Sequence, residues 1–279
     1  MKNVLSIAGS DCSAGAGIQA DLKTFVANGV YGMTVITSIT AQNTNEVRMV
    51  EDVSSEMLKN QIEVIFDEIK IDSIKIGMLN SKENAELIYK ELIKYKAKNI
   101  VLDPVMISTS GKSLIKDETK NFLINNLFKI ADIITPNLDE TKEIIKIILN
   151  NESVENIDSI EKMEVYGKII ADFTKKWVLI KGGHLSNSAV DILMNKDEIY
   201  ILEGEKISSN NTHGTGCSLS SAIASNLAKG YTMLEAVKKA KNFVLFSIKN
   251  SNSIDFGKLN GTVNQMGEIY KNIDIEKLY

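Results

Sequence analysis

The sequence predicts an α/β architecture: a central, mostly parallel sheet flanked by helices on both faces, in a single domain spanning residues 1–279. Two observations lead there. Short β-rich runs alternate with amphipathic helical stretches almost throughout, the pattern of parallel strands joined by helical crossovers. The runs are near-continuous in Val, Ile and Leu, which suits strands buried on both faces. A third observation concerns function: the carboxyl ends of these runs carry Gly9, Ser10 and Asp11, Gln42 and Asn43, Gly77 and Met78, Asp103, Asn137 and Glu140, and Lys181 and Gly182. Ligands of open α/β sheets sit beyond those ends.

The elements follow in order. Apolar runs predict strands at 4–9 (VLSIAG), 33–39 (MTVITSI), 73–78 (SIKIGM), 99–105 (NIVLDPV), 131–135 (ADIIT) and 177–182 (WVLIKG). Helical spacing of apolar residues predicts helices at 16–28, 54–69, 81–95, 116–128 and 138–149, with Ser81 and Asp139 read as caps. The segment 150–160 (NNESVENIDSI) is polar without a hydrophobic period and reads as a surface loop. After 182 the runs AVDILMN and EIYILEGEKI, separated by a short polar break, predict an antiparallel hairpin at one sheet edge.

Composition narrows the partners. The 279 residues are 44% apolar and 24% charged, long enough to bury a large core. A net charge of −4 with interspersed signs leaves no footprint for nucleic acid or an anionic membrane. The N-terminus turns polar and glycine-rich after one short apolar run, unlike a signal peptide or membrane span. Cys12 and Cys217 lack metal-ligand or disulfide-framework spacing, which reads as a reducing, cytoplasmic setting. His184 and His213 are too distant in sequence for a local zinc motif.

The most informative stretch is 210–230, NNTHGTGCSLSSAIASNLAKG, where a glycine-spaced turn (Gly214, Gly216) runs into a small-residue helix. The first N–H groups of a helix have no intrahelical partner, and the aligned dipoles leave partial positive charge, so phosphate oxygens can be held there. The same field predicts a lowered pKa for Cys217. The plainer reading is an ordinary loop-to-helix junction with a buried cysteine.

Rival motifs are weaker. GAGIQA at 15–20 matches the dinucleotide fingerprint, but the second strand ends Ser38-Ile39-Thr40-Ala41-Gln42 and offers no carboxylate for a ribose. A nicotinamide oxidoreductase is therefore the alternative from another reaction class. SGKS at 110–113 resembles the end of a P-loop, yet Met106 stands where glycine is required. In a later helix Leu234, Val237, Lys241, Val244 and Ile248 share one stripe. Lys241 either snorkels to solvent or reaches a bound phosphate.

Seven ordered blocks, IAGSDCSAGAGIQADLKTF, YGMTVITSITAQNT, IKIGML, VLDPVM, ITPNLDE, IKGGH and NTHGTGCSLSSAIA, closely resemble the hydroxymethylpyrimidine and phosphomethylpyrimidine kinases of thiamine biosynthesis, within the ribokinase-like superfamily. The resemblance implies ATP-dependent phosphorylation of 4-amino-5-hydroxymethyl-2-methylpyrimidine and then of its monophosphate. It also implies a ribokinase-like fold and, by analogy, a homodimer. Carried over residue by residue, it implies pyrimidine contacts at Gly9, Gln42, Met78 and Val105; a Mg²⁺-positioning cluster of Asp103, Asn137 and Glu140; nucleotide contacts at Lys181, Thr212 and Lys241; and an anion hole at Gly214, Thr215, Gly216 and the N–H of Cys217. The place of the Cys217 thiol at the helix start makes it the expected catalytic base for attack by the alcohol. Some relatives act on pyridoxal or pyridoxine instead, and the AQNT segment with Gln42 favours the pyrimidine. One block departs: LNGTVNQM at 259–266 stands where the family often reads Gly-His-Gly-Pro-Val-Asn-His-Phe. A pyrimidine-binding protein without turnover is the remaining alternative.

Overall fold

The computed structural model describes residues 1–106, 115–183, 189–254, 256–257, 261–267 and 269. The SGKS segment at 110–113, His184, and residues 259–260 of the divergent block lie outside the described residues. Among the described residues, nine strands form one sheet in the order β3-β2-β1-β4-β5-β6-β7-β8-β9. They are β1 (Asn3–Asp11), β2 (Tyr31–Gln42), β3 (Val47–Asp52), β4 (Ser73–Ile76), β5 (Ile100–Leu102), β6 (Ile133–Ile134), β7 (Trp177–Lys181), β8 (Asp191–Met194) and β9 (Ile199–Leu202). Strands β2, β1, β4, β5, β6 and β7 run parallel, whereas β3 at one edge and the hairpin β8–β9 at the other are antiparallel. The expected edge hairpin is thus present.

The helices are α1 (Gly17–Ala27), α2 (Ser55–Phe66), α3 (Lys82–Lys94), α4 (Asp117–Phe122), α5 (Phe128–Ile130), α6 (Leu138–Leu149), α7 (Ile160–Thr174), α8 (Thr215–Ala228) and α9 (Met233–Lys249). A π-helical turn at Leu123–Leu127 joins α4 to α5. No helix among the described residues is long and apolar enough to cross a membrane.

Three local features differ from the sequence expectation. The cap of α6 is Asn137, not Asp139: its side chain accepts the Glu140 N–H while the Glu140 carboxylate accepts the Asn137 N–H, a reciprocal box that Asp139, already inside the first turn, cannot make. Strand β3 was not anticipated because all six of its residues are exposed and it has no buried face to set a period. Helix α7, capped by Ser159, follows the expected loop and gives the β6-to-β7 crossover a second helix.

Alternation along each strand divides the core between the two faces. Leu5, Ile7, Ile74 and Ile76 pack with Leu58 and Ile62 of α2, Ile88 of α3, Ile144 of α6 and Ile170 of α7. Val4 and Val101 face the other way, against Phe25 of α1, Leu219 and Ile223 of α8, and Val237 and Ala240 of α9. Lys75, between Ile74 and Ile76, also points to this second face, in register with Ser6 and Val101. There it meets Asp21 of α1, and both side chains are 0% exposed.

Asp21 accepts four hydrogen bonds. Lys75 Nζ lies 2.9 and 2.8 Å from its two oxygens, Ser221 Oγ of α8 donates at 2.7 Å, and Ser6 Oγ of β1 donates at 2.6 Å. One carboxylate therefore joins two central strands to two helices. The same crowding explains Gly77, where a Cβ would stand 2.8 Å from Lys75 Nζ and 2.9 Å from Ala8 Cβ. Gly77→Ala should lower unfolding free energy by about 1–3 kcal/mol, as overpacking of a tight core does; denaturant titration measures it.

Candidate active site

Helix α8 begins where the parallel strands end. Gly214, its N-cap, has φ +82°, and a Cβ there would run into the Gly15 carbonyl, so both the left-handed backbone and the contact require glycine. The Thr212 carbonyl accepts the Thr215 N–H at 3.2 Å and the Thr215 hydroxyl at 2.7 Å. The N–H groups of Gly216 and Cys217 meet no acceptor among the described residues. A Cβ on Gly216 would sit 3.4 Å from Asp103 Oδ2 and 3.5 Å from Lys181 Nζ, which places both charges against the turn. Gly214, Thr215, Gly216, Cys217, Asp103 and Lys181 are thereby brought together.

The turn is held from two sides. His213 donates its N–H to the Gly261 carbonyl at 3.1 Å and accepts from the Val263 N–H at 3.2 Å, while the Thr262 hydroxyl donates to the carbonyls of Gly15 and His213. The Gln265 amide donates to Ser218 Oγ at 3.1 Å. The described part of the divergent block thus closes over the turn without the histidines and proline of the family pattern. On the other side, His213 Nε2 lies 3.2 Å from Asp11 Oδ2. Burial alone would raise the Asp11 carboxyl, but bonds from His213, Ser13 and the Ala16 N–H outweigh it and lower its pKa to about 2.

Asp103, after β5, is buried. Its Oδ1 accepts from Lys181 Nζ at 3.0 Å and Thr135 Oγ1 at 3.1 Å, and its Oδ2 accepts from Ser220 Oγ at 3.4 Å. Burial would raise its pKa, but Lys181 and Lys75 keep it below the ordinary value. Glu140 Oε2 lies 4.0 Å from Lys181 Nζ. Here burial wins: with Asp103 adding repulsion, and despite the Lys181 charge, the Glu140 carboxyl is pushed up to about 7. Asn137 pairs with Lys181 across an isolated parallel bridge, so the acidic pair and its cation share one frame. Among the described residues no group of three or more His, Cys, Asp or Glu side chains could by itself hold a metal ion.

Gln42 ends β2, with its amide nitrogen 3.5 Å from His213 Nε2 and its Oε1 accepting from Thr40 Oγ1 at 3.3 Å. Its main chain is pinned by Cys12, whose thiol donates to the Gln42 carbonyl at 3.1 Å. Gly9 is needed bare, because a Cβ would be 2.8 Å from Ser38 Oγ and 3.0 Å from Met78 Cε. Val105, half-buried, follows a tight turn in which its N–H donates to the Asp103 carbonyl at 2.9 Å. Gly9 touches Met78, and Gln42 reaches the anion turn through His213.

Two expectations change, those for Lys241 and Cys217. Lys241 has a protein partner: its ammonium donates to Asp191 Oδ2 and to the Ala189 carbonyl, so an apolar stripe does not leave it unpaired. Thr212 is exposed and reaches the turn through its carbonyl. The predicted thiolate is also corrected. Loss of solvation pushes the Cys217 thiol up to about 11, with Asp21 and Asp103 adding to the rise, and neither Lys75 nor the Gly17 N–H offsets it. The glycines of GAGIQA serve local packing, Gly15 against the His213 ring and Gly17 against the Gly9 carbonyl. Sequence reasoning passed over Lys75, Asp21 and Ser221. The available signal was a lysine inside an apolar strand read as buried on both faces.

A mostly parallel sheet with a glycine-capped helix start at its carboxyl edge, beside a buried Asp–Lys pair, defines a small-molecule kinase of ribokinase-like fold. A sequence profile of the phosphomethylpyrimidine kinase family matches residues 11–264, and the chain belongs to that family. It is 39% identical over 273 residues to the hydroxymethylpyrimidine/phosphomethylpyrimidine kinase of Staphylococcus aureus (strain MRSA252), covering 97% of this chain and 95% of that one. The crystal structure of phosphomethylpyrimidine kinase from Clostridium difficile 630 superposes with a TM-score of 0.78 at 46% identity, covering 89% of this chain and all of the other. An ADP complex of Bacillus subtilis pyridoxal kinase superposes with a TM-score of 0.86 at 34% identity, covering 97% and 99%. The family and fold expected from the sequence are both borne out.

The Asp11 shift has a definite sign. A carboxyl depressed in the folded state contributes stability above its unfolded value near 3.8, and that contribution is lost as pH falls through about 2. Asp11→Asn should therefore cost about 1–2 kcal/mol at neutral pH, allowing for partial solvent screening. Urea unfolding should show the gap to wild type narrowing below about pH 5.

Proposed function

We propose that this protein uses ATP and Mg²⁺ to phosphorylate 4-amino-5-hydroxymethyl-2-methylpyrimidine and then its monophosphate to the diphosphate. The observation that carries the reading is the α8 start. The N–H groups of Gly216 and Cys217 have no acceptor among the described residues, and Gly216 packs against Asp103 and Lys181, with Gln42 one contact away through His213. Family membership supports the kinase chemistry, and the pyrimidine substrates are those named for the S. aureus relative.

ATP would supply the transferable phosphoryl group, and Mg²⁺ would neutralise phosphate charge. The donor set fits such an ion. Asp103 and Glu140 offer hard oxygens, and their ties to Lys181 and to the α6 cap suit an ion carried in on phosphates and water rather than one caged by protein. Asn137 orients Glu140 through the capping box. Phosphoryl transfer needs positioning and charge neutralisation more than covalent work. The Gly214–Cys217 turn would bind the transferring oxygens, Lys181 would neutralise them, and Lys241 would reach nucleotide phosphate by leaving Asp191. Thr212 would line the same approach. Gln42 would read the aminopyrimidine edge, since an amide both donates and accepts. Gly9, Met78 and Val105 would wall the ring.

Cys217 Sγ would take the hydroxymethyl proton in the first step, whereas the second nucleophile is already an anionic phosphate and needs no base. Because the thiol rests protonated, the first step should accelerate as pH rises from neutral toward about 11, and the second should lack that dependence. Cys217→Ala should slow the first step by about 10²- to 10⁴-fold, the usual scale of general-base catalysis, and the second far less. Equal losses in both would instead give the thiol a shaping role. Gln42→Leu should weaken pyrimidine binding by about 1–3 kcal/mol, and unchanged affinity in calorimetric titration would remove its assignment. An ATP-coupled assay with hydroxymethylpyrimidine, its monophosphate and pyridoxal tests the whole reading. Turnover of the two pyrimidines supports it, and turnover of pyridoxal alone overturns it.

A further inference from the structure

Asp21 and Lys75 lie outside every role assigned above, yet they sit directly beneath the reactive turn. On α8, Ser221 is four residues after Cys217 and donates to Asp21 at 2.7 Å. Residues four apart share one helix face, so Cys217 and Ser221 both lie on the side of α8 that meets α1. Lys75 Nζ enters from the sheet beside Ser221, held by both Asp21 oxygens. Its head also lies 2.8 Å from where a Gly77 Cβ would be, at the end of β4 that leads to Met78. A fully buried ammonium and carboxylate thus stand one helical turn below the thiol in a region without water to screen them.

We propose that Lys75 and Asp21 are positioning residues for Cys217, the buried ammonium favouring its deprotonated form and the buried carboxylate opposing it. The two charges act with opposite sign on one sulfur. The other charged groups that bear on this thiol are Asp103, beyond β5, and Lys181 at the end of β7. These also pair with each other at 3.0 Å, and Asp103 still adds to the rise of the thiol. Lys75 keeps its proton because Asp21 more than compensates its burial, so the ammonium persists across the working pH range. The consequence for turnover rests on the reading of Cys217 as proton acceptor; the electrostatic assignment does not.

The test is the pH dependence of iodoacetamide alkylation at Cys217 in the full-length protein, followed by peptide-resolved mass spectrometry. Lys75→Met should move the alkylation profile about one pH unit or more to higher pH, the scale of a nearby buried charge, because Asp21 stays ionised at the alkaline pH where the thiol titrates. Adding Asp21→Asn removes that carboxylate, leaves no uncompensated ion and should bring the profile back to lower pH. A purely structural role would move the double variant at least as far as the single one, and that result or two unmoved profiles overturns the proposal. Should Lys75→Met alone fail to fold, Asp21→Asn/Lys75→Arg, whose guanidinium keeps its charge, should give a profile at lower pH than Asp21→Asn/Lys75→Met, and coincident profiles overturn the proposal. Rates of the two phosphorylations separate this inference from the one beneath it. If the profiles split while first-step rates do not follow, the electrostatic assignment stands and the base role of Cys217 falls.

Discussion

The interaction on which the rest of this structure depends is the buried bond between Asp21 and Lys75. It ties β1, β4, α1 and α8 at one point, with Ser6 and Ser221 filling the remaining acceptor capacity of the carboxylate. Its charges are out of water, so removing one partner would strand the other at a cost of about 3–5 kcal/mol. That penalty fixes how α8 sits against the sheet. The first turn of α8 must then lie over the strand ends, with Gly216 against Asp103 and Lys181, because Cys217 and Ser221 belong to one rigid helical face. An apolar contact in the same place would have tolerated sliding; a fully hydrogen-bonded ion pair does not.

The state of Cys217 shows how two ordinary effects compete. A helix start favours a thiolate through its N–H groups and dipole, an effect confined to the first turn. Desolvation favours the neutral thiol and acts through the whole surroundings of the sulfur. In this site desolvation is the larger, and the thiol rests protonated with a pKa of about 11. The same competition separates the two carboxylates nearby. Asp103 has Lys181 at 3.0 Å and stays below its ordinary value, while Glu140, with the ammonium at 4.0 Å and Asp103 beside it, rises to about 7. Neighbouring acids on one lysine therefore differ in charge near neutrality.

The parallel strands and the residues at their ends were legible from the sequence alone, because continuous Val, Ile and Leu runs mark doubly covered strands and the polar residues at their ends mark the ligand edge. Asp103, Lys181 and the 214–217 turn meet there, as that rule requires. Glycine spacing also marked Gly214, whose left-handed backbone only glycine accepts readily. Strand β3 escaped notice for lack of a buried face, and Asn137 was passed over as a cap because Asp139 is an equally good capping type two residues on.

What the sequence determined by itself is local or periodic: strand and helix order, the glycine turn that starts α8, the acidic and amide residues at strand ends, and membership of a kinase family through seven ordered blocks. What only the tertiary structure decided is long-range pairing. Lys75 finds Asp21 fifty-four positions away, Lys241 finds Asp191 fifty positions away, and His213 finds Asp11 across 202. No period or short motif encodes such partners, nor the burial that keeps Cys217 protonated. Burial and distance set a pKa, and both exist only after the chain has folded.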